Sequence, residues 1–283
     1  MNRFQFQTVP NVIAGLGTIQ ELFKILKNGR YQRLLLVTDP GMLKQQLHLP
    51  ILDIIEAAGL EYVIYSDVQA DPPEYVVLEA AAFAKQENID VVLGFGGGSS
   101  MDVAKLIAIL AHPEQHQTLS DLYGADNATG PRLALILVPT TAGTGSEVTP
   151  ISIVTTGETT KTGIVAPILY ADVAILDATF TQNLPAQITA ATGIDAMVHA
   201  IEAYTSKHKK NPYSDMLAKQ ALRLLNANLQ RVLQDGYDLD ARQNMLVGSM
   251  LAGQAFANAP VAAVHALAYP LGGHFHLSHG HSN

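Results

Sequence analysis

Cysteine is absent from all 283 residues. That excludes a disulfide framework and any thiolate metal centre, so a bound metal has to be held by nitrogen and oxygen ligands. Basic residues are also scarce: 17 Lys and Arg against 25 Asp and Glu leave a formal charge of −8. A surface of that sign does not neutralise a phosphate backbone, so nucleic acid is excluded as a partner and a small or neutral molecule is expected. No run approaches the roughly 18 apolar residues needed to cross a bilayer, and the amino end, Met1-Asn2-Arg3-Phe4-Gln5-Phe6-Gln7, lacks the apolar stretch of a signal peptide. The expectation is a protein of the reducing cytoplasm, with no membrane association.

What the chain does have is 48% hydrophobic residues, enough for a substantial core in one large domain or two smaller ones. From Arg33 to Thr140 short branched-apolar runs alternate with amphipathic, alanine-rich stretches, the βαβ pattern of a parallel sheet. Strands are expected at Leu34–Asp39, Glu61–Ser66, Val91–Gly96 and Leu133–Val138, with helices at Met42–Ala58, Glu74–Glu87 and Met101–Ala111. The strand signal fades through Ala174–Asp177. From Pro185 the pattern turns helical, with apolar residues at three-and-four spacing in Ala186–Thr205, Pro212–Asp235 and Asp240–Ala259. The expected architecture is an α/β domain with a parallel Rossmann-like sheet over 1–184, followed by an all-α domain over 185–283. The polar histidine-glycine ending reads as a shortened C-terminal part.

Gly96-Gly97-Gly98-Ser99-Ser100 joins a buried strand to a helix. Backbone N–H groups and the positive helix end there form an anion cradle, and the glycines let a pyrophosphate approach without Cβ clashes. A tight turn with a serine cap is the competing reading. Asp39 closes the first strand where a carboxylate can accept from a ribose 2′-hydroxyl and repel a 2′-phosphate, although Asp39-Pro40-Gly41 is also a good turn. Pro139 to Thr149 puts hydroxyls and glycines after another buried strand, at the edge where open α/β sheets bind ligands.

Asp195 and His199 are four apart in an expected helix, so both can face one ion. Five of the ten histidines (His265, His274, His276, His279, His281) fall in the last nineteen positions. His265 and His279 complete a candidate set of four with Asp195 and His199, with His274, His276 and His281 as competitors. Neutral imidazoles with one carboxylate suit iron or zinc. Asp195 could instead cap a helix starting near Gly193, and a lone His is often a core residue.

These segments in series resemble the iron-containing (group III) alcohol dehydrogenase family, whose fold is similar to that of dehydroquinate synthase and glycerol dehydrogenase. The resemblance rests on Gly96 to Lys105, Pro139 to Thr149, Gly193 to Tyr204, Val264 to Gly273 and Ser278 to Gly280. It implies Asp195, His199, His265 and His279 as ligands of Fe²⁺, with Zn²⁺ the alternative. It implies an NAD site lined by Asp39, Gly96, Gly97, Gly98, Ser99, Ser100, Thr140, Thr141, Thr144 and Lys161, with Asp102 near the nicotinamide. Tyr269 stands where many members have His, at a position considered for proton relay, so Asp102 and Tyr269 are the candidate catalytic residues. Family members continue into further helices. The implied activity is hydride transfer between NAD(H) and a small primary alcohol, diol or aldehyde, by a homodimer or larger homo-oligomer. A zinc-type glycerol dehydrogenase, a metal-independent reductase of the same fold, an NAD-binding chain without turnover and a metal hydrolase are the alternatives.

Overall fold

The computed structural model describes residues 3–157, 160–260, 263–268 and 282. Its strands are β1 (Asn11–Ala14), β2 (Arg33–Val37), β3 (Glu61–Tyr65), β4 (Val91–Gly96), β5 (Gly124–Ala125), β6 (Ala134–Pro139), β7 (Ile151–Thr156), β8 (Thr160–Val165) and β9 (Val173–Leu176). The helices are α1 (Glu21–Gly29), α2 (Pro40–Lys44), α3 (Leu49–Ala57), α4 (Glu74–Gln86), α5 (Gly98–Leu110), α6 (Leu119–Leu122), α7 (Ala186–Thr205), α8 (Pro212–Gln234) and α9 (Leu239–Asn258).

Six strands form a wholly parallel sheet in the order β1-β9-β6-β4-β2-β3. Parallel strands are covered on both faces, which is why their sequences run apolar without alternation. Leu34, Leu36, Leu93, Phe95 and Ile136 point into one core with α1 and α3 residues. Leu35, Val37, Val92, Leu135 and Leu137 point into the other, with residues of α4 and α5. The chain runs from β2 out to the edge strand β3, then returns to β4 on the other side of β2. That reversal opens a crevice beyond the carboxyl ends of β2 and β4, where Asp39 and the glycine turn lie.

Helices α7, α8 and α9 pack on one another around a third core rich in small residues, including Ala196, Ala200, Ala221, Ala252 and Ala255. Small side chains let the helix axes approach closely. Pro212 at the first turn of α8, with the reciprocal Asn211–Ser214 capping box, sets where that helix starts. The Asp238 side chain caps α9 by accepting from Ala241 N at 2.9 Å. The two parts meet main chain to main chain. Gly145 has a φ of 60°, and a Cβ there would lie 2.7 Å from Gly253 Cα on α9. A Cβ at Gly253 would lie 2.9 Å from the Gly145 carbonyl oxygen.

Several expectations need correction. The single helix expected over Met42–Ala58 is two, because the chain breaks after α2, with Gln46 at a φ of 56°, and α3 restarts with a proline in its first turn. Helix α5 begins at Gly98 rather than Met101. Ala174–Leu176, where the strand signal fades, belongs to β9, which pairs with both β1 and β6. The antiparallel β7–β8 pair and its short parallel neighbour β5 had no counterpart in the sequence reading. No helix among the described residues is long and apolar enough to cross a membrane.

Candidate active site

The glycine turn after β4 delivers the N-terminus of α5 into a cleft lined by Gly98, Ser99, Asp102, Thr144, Ser146 and Lys161. His199, Phe256 and His265 line the same cleft from the helical side. A Cβ added at Gly98 would lie 2.8 Å from Thr144 Cγ2, so the backbone is bare there because a side chain would fill the cradle. Thr141 flanks Gly97, whose added Cβ would lie 3.6 Å from its Oγ1. Ser100 is buried and packs under Gly96. Thr140 follows β6, and its backbone N–H donates to the Gly96 carbonyl at 2.9 Å. The buried hydroxyls of Thr38 and Thr140 have no hydrogen-bond partner among the described residues. Orphaned hydroxyls at a strand edge beside a bare cradle suit a hydroxylated, anionic ligand.

Asp39 caps α2, with Oδ1 accepting from Gly41 N at 2.8 Å and Met42 N at 3.2 Å. Its Oδ2 faces the cradle, 3.4 Å from where a Gly96 Cβ would stand. The turn and ligand-facing readings of this residue are therefore compatible, one for each oxygen. Lys161 on β8 reaches across to Asp71 at 2.6 Å.

Under the cradle a polar network ties Asp102 to Lys105 and Ser146, two residues that carried no role of their own in the sequence. Lys105 is fully buried and donates to Ser146 Oγ at 2.8 Å and to the Ile151 carbonyl at 2.7 Å. Ser146 Oγ donates to Asp102 Oδ1 at 2.6 Å, and Ile153 N donates to Asp102 Oδ2 at 3.0 Å. Burial raises the Asp102 pKa although Lys105 and Ser146 oppose it. Burial also pulls Lys105 down to about 8 and pushes Glu147 up to about 7. A lysine amid the apolar residues of α5 was the available signal, since an unpaired buried charge is costly.

Among the described residues, Asp195, His199 and His265 are the one group of His, Asp or Glu able to hold an ion, their ligand atoms lying within 4.8 Å of one another. Asp195 Oδ1 is 3.9 Å from His199 Nε2 and 3.7 Å from His265 Nε2. Bond lengths of ~2.0–2.2 Å require ligand atoms about 3–3.5 Å apart, so small side-chain shifts would close the set on a cation. All three residues are buried, and a nitrogen–oxygen donor set fits a divalent metal. Asp195 lies mid-way along α7, which starts at Ala186, and this removes the helix-cap reading. The His199 ring stacks between Phe256 and His265, each with its centroid 4.4 Å away. Burial would lower the His265 pKa, but the Asp195 and Glu202 carboxylates outweigh it and the net shift is upward. Phe256 and Glu202 were not singled out from sequence. Glu202 could have been, since it lies three and seven residues beyond His199 and Asp195 on one helix face. Tyr269 and His279, with His274, His276 and His281, lie outside the described residues.

Residues 10–178 match the family described as iron-containing alcohol dehydrogenase, and residues 189–283 match the Fe-containing alcohol dehydrogenase family, C-terminal. Long-chain-alcohol dehydrogenase 1 of Geobacillus thermodenitrificans is 44% identical over 270 residues, covering 95% of this chain and 68% of the relative. Sulfoacetaldehyde reductase of Bilophila wadsworthia is 36% identical over 278 residues, covering 98% and 71%. Among solved structures, a 1,3-propanediol oxidoreductase superposes with a TM-score of 0.95 at 36% identity, over 99% of this chain and 73% of that one. A sulfoacetaldehyde reductase from Bifidobacterium kashiwanohense in complex with NAD+ gives 0.90 at 28% identity, over 100% and 74%.

Proposed function

We propose, from the premise that this chain belongs to the iron-containing alcohol dehydrogenase family, that its cleft interconverts a small primary alcohol or diol and the corresponding aldehyde with NAD(H). Residues 1–184 hold the dinucleotide and residues 185–283 the metal. The observation that carries this reading is that the glycine cradle and two members of the Asp195–His199–His265 cluster, His199 and His265, line one cleft. A metal hydrolase would have no use for the cradle.

When bound, Fe²⁺ or Zn²⁺ supplies Lewis acidity that lowers the pKa of a hydroxyl, and NAD⁺ supplies the hydride acceptor. Asp195, His199 and His265 hold the metal, and His279 is assigned as the fourth ligand on the resemblance. The backbone at Gly96, Gly97 and Gly98 and the start of α5 bind the pyrophosphate, with Ser99 and Ser100 supporting the turn. Asp39 Oδ2 accepts from the ribose, and Thr140, Thr141 and Thr144 supply hydroxyl contacts. Lys161 offers a cation at the cleft wall. Asp102, held by Ser146 and Ile153 N, presents a fixed carboxyl toward the nicotinamide end. Phe256, Ile151 and Ile153 give the cleft an apolar lining that excludes water from the reacting groups. Tyr269 is assigned to proton transfer with substrate on the resemblance. We also assign the protein to the cytoplasm, as a homo-oligomer.

NAD-linked oxidation of short alcohols and diols by iron-reconstituted protein tests the reading. Activity that survives metal removal, or survives His265→Ala at the wild-type level, would overturn it. Metal analysis of the purified protein separates iron from zinc.

A further inference from the structure

We infer that Glu202 is a positioning residue for the metal site: its buried carboxylate holds His265 so that Nε2 is the atom turned toward Asp195 and His199. The inference rests on the reading of that cluster as a metal site. Glu202 Oε2 lies 2.5 Å from His265 Nδ1, and both residues are 3% exposed, so water does not compete for the bond. An ionised carboxylate only accepts, so in the neutral imidazole that a metal requires the proton resides on Nδ1 and the lone pair on Nε2. His265 Nε2 is the atom found 3.7 Å from Asp195 Oδ1.

The second oxygen of Glu202 has its own task. Oε1 accepts the backbone N–H of Val264 at 2.7 Å. One carboxylate therefore fixes both the ring of His265 and the main chain immediately before it. His265 needs this more than the other two do. Asp195 and His199 ride on α7, a helix of 20 residues anchored by its own ladder and by α8 and α9, and the His199 ring is clamped by stacking. His265 arrives on a separate segment, 263–268, after the chain has left α9. Asp195, His199 and Glu202 stand at i, i+4 and i+7 on α7, so one helix face carries two ligand candidates and the group that aims a third. Carboxylates that orient metal-bound imidazoles raise their basicity and fix their tautomer, and their loss weakens metal binding by about 10- to 100-fold.

The alternative is that Glu202 merely ties α7 to residues 263–268. Co²⁺ titration against a competing chelator, run on the wild type, Glu202→Gln, Glu202→Ala and the exposed control Glu61→Gln, separates the two. Glu202→Gln keeps the volume and can still accept one of the two bonds. We expect it to bind Co²⁺ about tenfold more weakly and Glu202→Ala up to about a hundredfold more weakly. Glu61→Gln should match the wild type. Long-range ¹H–¹⁵N spectra of the metal-free wild type, recorded at alkaline pH where the ring is neutral, should show His265 in the Nδ1–H form, and Glu202→Gln should mix the tautomers. Wild-type Co²⁺ affinity in both Glu202 variants, or an Nε2–H tautomer in the wild type, would overturn the inference while leaving the metal site intact. A wild type that binds no Co²⁺ would overturn the metal reading, and this inference with it.

Discussion

Ser146 Oγ lies 2.6 Å from Asp102 Oδ1, and it is also the atom that accepts from Lys105. The hydroxyl is thus the bridge between a fully buried ammonium and a carboxylate facing the cleft, which are themselves 3.7 Å apart. Removing the cation should leave Asp102, only partly exposed at the cleft, without its counter-charge, and the Ile151 carbonyl without its donor. Lys105→Met is expected to lower the unfolding free energy by about 3–5 kcal/mol. Urea denaturation measures it, and a loss under about 1 kcal/mol would mean the network is not electrostatically coupled to folding.

Glu147 provides a pH test. The residue is 2% exposed, and burial pushes its carboxyl up to about 7 from the ordinary 4.5, with its own backbone N–H and Lys105 opposing. The folded state therefore holds a proton that the unfolded state has released. That contribution to stability is complete below pH 4.5 and is lost as pH rises through 7. Glu147→Gln cannot lose it. The variant should gain on the wild type by roughly 3 kcal/mol between those limits, at about 1.4 kcal/mol per pH unit. Parallel stability curves for the two proteins would contradict the assignment.

Asp39 separates its two oxygens by substitution. Asn caps helices about as well as Asp, whereas Ala at such a position costs about 1 kcal/mol. Asp39→Asn should therefore keep the wild-type melting temperature, while Asp39→Ala lowers it. Both variants lose the charge that would repel a 2′-phosphate, so the preference for NAD⁺ over NADP⁺ should narrow by about tenfold, or ~1.4 kcal/mol, in each. Coenzyme titrations decide the point, and an unchanged ratio in Asp39→Asn would confine Asp39 to capping.

Gly98→Ala sets helix propensity against the cradle. Within a helix, Ala is favoured over Gly by about 0.5–1 kcal/mol, so the fold should survive. The added Cβ at 2.8 Å from Thr144 Cγ2 obstructs the floor of the cleft. NADH fluorescence titration should show at least about tenfold weaker binding, ~1.4 kcal/mol. Equal affinity would place the pyrophosphate elsewhere.

The helical part was the most legible from sequence. Expected and observed limits of α7 coincide, and those of α8 and α9 differ by a single residue, because long helices repeat their apolar period several times and carry proline, asparagine and aspartate at their starts. Strands β1 and β9 have four residues each, too few for a period to emerge, and they pair with each other across more than 150 positions. The β7–β8 pair escaped because apolar–polar alternation is confined to Ile151-Ser152-Ile153, too short to stand out beside the threonines and lysine that follow. At the site, residue types with an evident chemistry could be picked out: glycines, histidines and the aspartates. Lys105 touches Ser146, Ser146 touches Asp102 and Glu202 touches His265 across 41, 44 and 63 positions, and a linear pattern does not encode such contacts.

The contact between Gly145 and Gly253 limits how this enzyme can diversify. Because main chain abuts main chain with no side chain between, the spacing from the loop after β6 to α9 has no adjustable shim: any substitution at either glycine inserts bulk where backbone already stands. Adaptation to other substrates therefore has to work through side chains that line the cleft, Ile151, Ile153 and Phe256 among them, with the contact between the two parts held constant.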